Sequence, residues 1–164
     1  MMRKHVVIMG VSSCGKSTVG ELLAQHTGLP FQDGDDMHPA ANIEKMASGQ
    51  ALDDDDRKPW LESIGRFLAD QEDGAIVGCS ALKHSYRELI RAAAPDTVFV
   101  HLHGSYDLLK ERMSKRSGHF MPVSLLDSQF ETLEELRPEE AGVVLDVSAR
   151  PEELAAAAAK YLQS

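Results

Sequence analysis

Eight consecutive residues, Gly10-Val11-Ser12-Ser13-Cys14-Gly15-Lys16-Ser17, limit what this chain can fold into more than any other feature. Their spacing is GxxxxGK[ST]. Glycines at the two ends let successive backbone N–H groups curl around an anion, at points where side chains would obstruct its approach. Lys16 can reach the outer phosphates of a nucleotide as a point charge, Ser17 can ligate Mg2+, and the following helix aims the positive end of its dipole at the same anion. The motif comes after the apolar run at residues 5–9 and before an amphipathic stretch with Val19, Leu22 and Leu23, so it joins a strand to a helix, as its chemistry requires. This context supports nucleotide binding; a chance glycine-rich turn is the alternative. A GTP-driven switch would be expected to carry an NKxD and a DxxG motif, and neither occurs; the only Asn is Asn42, followed by Ile43.

Short apolar runs recur at residues 5–9, 29–31, 75–79, 97–102 and 143–147, separated by stretches of helical period. That spacing calls for crossover helices. It predicts an α/β chain with a five-stranded, mostly parallel sheet flanked by helices. Helical seams are visible at Leu61, Ile64 and Leu68, and at Leu154, Ala158 and Tyr161. Pro59 is expected in a first helical turn behind Asp55 and Asp56, and Pro151 opens the last helix ahead of Glu152 and Glu153. With no linker and no repeat, residues 1–164 are read as a single domain.

Charge and cysteine usage exclude several functions. Seventeen basic against 26 acidic residues leave a net charge of −9, which opposes attraction to a nucleic-acid backbone. The apolar run behind Arg3 and Lys4 is too short for a signal peptide or a membrane span, so a cytoplasmic setting is expected. Cys14 and Cys79 show no ligand-like spacing, and neither a disulfide nor a zinc site is expected.

Three further segments hold chemistry that a second substrate would need. Asp33-Gly34-Asp35-Asp36-Met37-His38-Pro39 is expected at the carboxyl edge of the sheet, where a carboxylate can serve Mg2+ or accept a hydroxyl proton. A solvated turn capping the next helix is the other account. Asp53-Asp54-Asp55-Asp56 suits a helix N-terminus, while Arg57 can offer a planar fork to an anion or form a surface ion pair. In Gly78-Cys79-Ser80-Ala81-Leu82-Lys83, Ser80 can position a substrate and Lys83 can neutralise phosphoryl charge; a helix cap and an exposed lysine remain open. Arg112 and Arg116 lie one helical turn apart before the Gly118-His119-Phe120-Met121-Pro122 break, which suggests an arginine-bearing lid over about residues 110–130, or a basic helix surface. His101 and His103 alternate on one strand face without a third ligand nearby, so strand packing is expected of them.

Taken in order, these motifs resemble the gluconate kinases, a branch of the P-loop small-molecule kinases. The likeness rests on residues 10–18, on Asp33 to Pro39 with Asn42, Lys45 and Met46, on Leu52 to Arg57 with Pro59-Trp60-Leu61, on Cys79 to Lys83 with Tyr86-Arg87, and on His119-Phe120-Met121 with residues 125–130. The resemblance implies ATP- and Mg2+-dependent phosphorylation of D-gluconate at the 6-hydroxyl, in a cytoplasmic homodimer. It implies that Gly10, Ser12, Ser13, Cys14, Gly15, Lys16, Ser17 and Thr18 hold nucleotide. Arg112, Arg150 and Pro151 would stand on the adenine side. Ser17 and Asp33 would serve the metal. Lys16, Asp33, Arg112 and Arg116 would act in the transfer, and Asp35, His38, Arg57, Ser80, Lys83 and His119 would surround gluconate. Ser13 departs from the family's usual glycine, which bears on nucleotide affinity. Another P-loop kinase, acting on shikimate, a nucleoside monophosphate or a different sugar acid, is the near alternative; a non-catalytic nucleotide-binding regulator is the distant one.

Overall fold

The computed structural model describes residues 3–11, 14–115 and 123–164, with side chains 123–125 excepted. Five parallel strands form its centre: β1 (His5–Met9), β2 (Phe31–Asp33), β3 (Ala75–Gly78), β4 (Val98–His103) and β5 (Gly142–Asp146). They lie in the order β2-β3-β1-β4-β5. Val6 pairs with Ile76 on one side and with Val98 on the other, so β1 is central. The chain leaves β1 for β2 and β3 on one side, then crosses to β4 and β5 on the other. That reversal opens a crevice at the carboxyl end of β1, where parallel sheets bind ligands.

The pleat of β1 explains the two layers. Val6 and Ile8 face one way and Val7 and Met9 the other, and all four are fully buried, as strands covered on both faces require. On the first face α1 (Lys16–Thr27) packs beside α7 (Pro151–Gln163) through Val19, Leu23, Leu154, Ala158 and Leu162. On the second, α3 (Asp54–Asp70) packs beside α4 (His84–Ala93) through Leu61, Ile64, Leu68 and Ile90. Each of the Val, Leu and Ile side chains contributes about 1.5–3 kcal/mol on burial, and Ala158 less. In chain order α2 (Ala40–Ala47) falls between α1 and α3, and α5 (Tyr106–Lys115) and α6 (Val123–Thr132) between α4 and α7. Met113 and Leu126, inside the range expected for a lid, are buried in the first core.

Two local expectations need correction. Pro59 does not open a helix; it lies inside α3, which begins at Asp54. Asp53 caps that helix instead: its side chain accepts from Asp56 N while Asp56 accepts from Asp53 N, a reciprocal box that starts the helix earlier than the proline. β2 lies two residues later than the apolar run at 29–31. Pro30 has no N–H for a ladder, although its carbonyl accepts from Ile76 N at 2.8 Å, so regular pairing starts at Phe31.

Candidate active site

The loop after β1 has the backbone its sequence demands. Gly10 has φ of 148° and Gly15, the residue capping α1, has φ of 93°. A Cβ on Gly10 would stand 2.7 Å from Leu102 O and 2.8 Å from Cys14 Sγ, so only glycine fits there. No side chain caps α1, which leaves its first amides to an anion. Lys16 Nζ donates to Gly10 O at 2.9 Å and to Val11 O at 3.2 Å, curled over its own loop. Ser17 and Thr18 are exposed on the first turn of α1, and Cys14 is buried with a free thiol.

Asp33 closes β2, next to β3, at the same sheet edge. Its Oδ1 accepts from Asp35 N at 2.9 Å and so caps the short 3-10 turn Gly34–Met37, the local role that sequence had left open. A carboxylate has two oxygens, and the cap uses one. Burial and the neighbouring Asp33 charge raise the pKa of Asp35 above the usual carboxylate range, while Lys16 and His38 oppose the rise. That interplay brings the loop lysine and both carboxylates into one electrostatic cluster.

His38 is held from two sides. Its ring stacks on Trp60 with centroids 4.1 Å apart and planes at 16°, and Asn42 Nδ2 donates to its Nδ1 at 3.2 Å. Trp60 in turn donates to Gly34 O at 2.8 Å, which fixes the plate beneath the imidazole. Burial lowers the pKa of His38, Asp35 opposes the fall and Arg57 adds to it, so the ring is neutral at pH 7.

The two candidate acceptor cations share one partner. Lys83 Nζ donates to Asp54 at 3.1 and 3.2 Å, Tyr86 OH donates to Asp54 Oδ1, and Arg57 Nη1 donates to Tyr86 OH at 3.2 Å. Asp54 is therefore more than a dipole-matching residue of an acidic run, because it draws Arg57 from α3 and Lys83 from the β3 exit together. The Tyr86 and Lys83 hydrogen bonds lower its pKa, and the same Asp54 contact raises that of Lys83. Asp56 and Asp53 belong elsewhere, pairing with Lys45 at 2.5 and 3.8 Å. Ser80 joins the phosphate loop through its backbone, its carbonyl accepting from Gly10 N at 3.2 Å.

The remaining predicted residues lie on the other side of β1. Arg112 Nη2 donates to Val147 O, just beyond β5. Arg150 precedes α7, exposed and paired with Glu153 at 2.9 Å, and Pro151 is the first residue of that helix. Thus the structure brings Lys16, Asp33, Asp35, His38, Arg57 and Lys83 into a continuous set, with Arg112, Arg150 and Pro151 at the far edge. Ser12, Ser13, Arg116 and His119 lie outside the described residues. His101 is buried against His103, with ring centroids 5.3 Å apart. Among the described residues no group of three or more His, Cys, Asp or Glu side chains is placed to hold a metal ion. Sequence reasoning gave no role to Trp60, Asn42 or Tyr86, and gave Asp54 only a place at a helix N-terminus. Only the spacing of Asp54 and Arg57, one helical turn apart, hinted at a pair.

A parallel sheet in this order, with a GxxxxGK[ST] loop at its reversal point and a second polar cluster beside it, defines a P-loop small-molecule kinase. A family model described as shikimate kinase matches residues 12–163. The gluconokinase of Gluconobacter oxydans (strain 621H) is 49% identical over 134 residues, which cover 80% of this chain and 75% of that one. The thermosensitive gluconokinase of Escherichia coli (strain K12) is 44% identical over 148 residues, 88% of this chain and 79% of that one. The crystal structure of a gluconokinase from Sinorhizobium meliloti 1021 is 49% identical and superposes with a TM-score of 0.90, covering 99% of this chain and 93% of that one. The chain belongs to the gluconokinase family, within the wider shikimate kinase group of P-loop kinases.

Proposed function

We propose that the protein transfers the γ-phosphate of ATP to the 6-hydroxyl of D-gluconate, yielding 6-phospho-D-gluconate and ADP. The observation that carries this reading is the register that sets Asp33, at the end of β2, level with Gly78 and so with Ile8 just before the phosphate loop, on the side of the sheet edge where the Arg57–Asp54–Lys83 cluster lies. Two substrates need adjoining sites of opposite character: one that cradles polyphosphate, and one that offers cations to a carboxylate and acceptors to hydroxyls. The loop of residues 10–18 supplies the first. Asp35, His38, Arg57, Ser80 and Lys83 supply the second, with neutral His38 able to hydrogen-bond a hydroxyl. Arg112, Arg150 and Pro151 belong to the adenine side, and Arg112 adds positive charge to the transfer. Arg116, in the transfer, and His119, beside gluconate, belong to the same reading.

In the reaction the 6-hydroxyl oxygen bonds to the γ-phosphorus as the bond to the β,γ-bridging oxygen breaks. The hydroxyl proton passes to Asp33 or Asp35, and Lys16 stabilises charge on the phosphoryl oxygens. Ser17, exposed on the first turn of α1, and Asp33, at the end of β2, offer the one or two protein oxygens that Mg2+ takes, the rest of its shell being phosphate and water. Ser17 and Asp33 would hold it, and it would neutralise charge between the β- and γ-phosphates. Among the described residues no helix is long and apolar enough to cross a membrane. A cytoplasmic homodimer belongs to the reading through the family resemblance alone.

The test is a coupled assay with ATP, Mg2+ and a panel of sugar acids, shikimate and nucleoside monophosphates. Turnover of gluconate above the other acceptors is expected. A preference for shikimate or a nucleoside monophosphate overturns the acceptor, and no product from any of them overturns the enzyme.

A further inference from the structure

Arg87 is a fully buried cation whose side chain takes no part in the chemistry described above. Its Nε donates to Glu140 Oε1 at 2.8 Å and its Nη2 to Glu140 Oε2 at 3.0 Å, a two-pronged pair in which the carboxylate side chain is only 2% exposed. The rest of the guanidinium binds backbone: Nη1 donates to Ala81 O at 2.9 Å and Leu82 O at 3.4 Å, and Nη2 to Glu135 O at 3.3 Å. Glu140 is fixed by Arg91 Nη2 at 2.8 Å and by Arg137 N at 2.8 Å.

These contacts tie together two segments distant in sequence. One is the turn at residues 80–83 after β3, where Ala81 has φ of 43°, a left-handed conformation that is strained for a non-glycine residue and persists only when its surroundings impose it. The other is the stretch from the end of α6 to β5. Glu134 N donates to Leu82 O at 2.7 Å, and Glu134 Oε1 accepts from His84 N at 2.9 Å, so the same two segments are joined again beside Arg87. At its near end the turn meets the phosphate loop through Ser80 O, and at its far end Lys83 meets Asp54. A charge buried at such cost does not serve stability best, since apolar residues of similar volume often serve as well. What it adds here is geometry.

We propose that Arg87 and Glu140 are positioning residues of the acceptor site, holding the left-handed turn at Ala81 so that Ser80 and Lys83 stand at the distance that gluconate requires from the phosphate loop. The inference rests on the acceptor reading given above. Arg87→Lys keeps the charge but loses the fork, and Glu140→Gln keeps the shape but loses the charge. Each is expected to raise the KM for gluconate roughly tenfold, in the range of a lost buried charge-assisted bond, with the KM for ATP changed less than about twofold. The double variant Arg87→Met/Glu140→Leu separates geometry from stability, because it replaces the buried pair with apolar side chains of similar volume. It is expected to melt close to the parent and still show the raised gluconate KM.

Arg57→Ala serves as the comparator, assayed beside these variants. If Arg57→Ala raises the gluconate KM while the stable double variant leaves it unchanged, the positioning role is overturned and the acceptor reading stands. Equal rises in the KM of both substrates also overturn it, as they would mark a general loss of structure. A parent that turns over no gluconate overturns the acceptor reading and this inference with it.

Discussion

Lys16 and Arg57 carry the two halves of the proposed reaction, and their substitutions separate them. Lys16→Ala removes the cation nearest the transferred phosphoryl group and leaves the glycine cradle intact. Its kcat is expected to fall by roughly 10²–10³-fold or more, as when one preorganised charge-stabilising group is lost, with the melting temperature little changed. Wild-type kcat in steady-state assays of Lys16→Ala would remove the lysine from the transfer step. Arg57→Ala is expected to raise the gluconate KM by about 10-fold, the lower range for a charge-assisted bond at a partly exposed side chain, and to leave the ATP KM nearly unchanged. Parallel titrations of both substrates check this. The loop was legible because its glycines and lysine are required by covalent geometry and charge, which are properties of residue type. The company Arg57 keeps was legible only in part: Asp54 lies one turn away on the same helix, but Tyr86 is set beside both by the packing of α4 on α3, which no local pattern records.

At the scale of elements, α3 shows what capping decides. Proline is the residue most often used to locate a helix start, yet the Asp53–Asp56 box begins α3 five residues before Pro59 and so places Asp54 and Arg57 on the first turn. Asp53→Ala breaks one half of that box. A loss of about 1 kcal/mol is expected, which is a fall of roughly 2–4 °C in melting temperature for a chain of this size. The gluconate KM should also rise, because fraying of the first turn loosens Arg57. Calorimetry and the same kinetic assay check the pair of effects, and an unchanged KM with a lowered melting temperature would uncouple the cap from the site. Strands were legible as apolar runs wherever both faces are covered, as in β1, β3 and β4. The edge strand β2 was displaced in the reading because its three residues are only partly buried and carry no run of their own. In α4 the buried Arg87 occupies an inward position, so a charge stands where a hydrophobic seam would reveal the helix.

The whole molecule is built to be sensitive to acid, through two groups on the α3–α4 side of the sheet. His101 on β4 is 1% exposed, its Nδ1 has no hydrogen-bond partner among the described residues, and burial, helped by His103, Arg87 and Lys16, lowers its pKa from 6.5 to about 4. Above 6.5 the ring is neutral whether the chain is folded or not. As pH falls from 6.5 toward 4 the unfolded chain takes up a proton that the folded one refuses, so stability is lost across that window, by roughly 3 kcal/mol at its end. Glu140 extends the window downward. Burial pushes its pKa up, but hydrogen bonds from Arg87, Arg137 N–H and Arg91 outweigh that and bring it from 4.5 to about 2, so the stability it contributes above 4.5 is lost between 4.5 and 2. His101→Phe removes the first group without emptying its space, and takes the unpaired ring nitrogen away with it. Its melting temperature is expected to exceed the parent's by more at pH 5 than at pH 8, whereas the difference for Glu140→Gln should be largest at pH 8 and shrink below pH 4. A His101→Phe variant whose melting temperature tracks the parent's in parallel from pH 8 to pH 5 would show that the imidazole does not carry the upper half of the acid response.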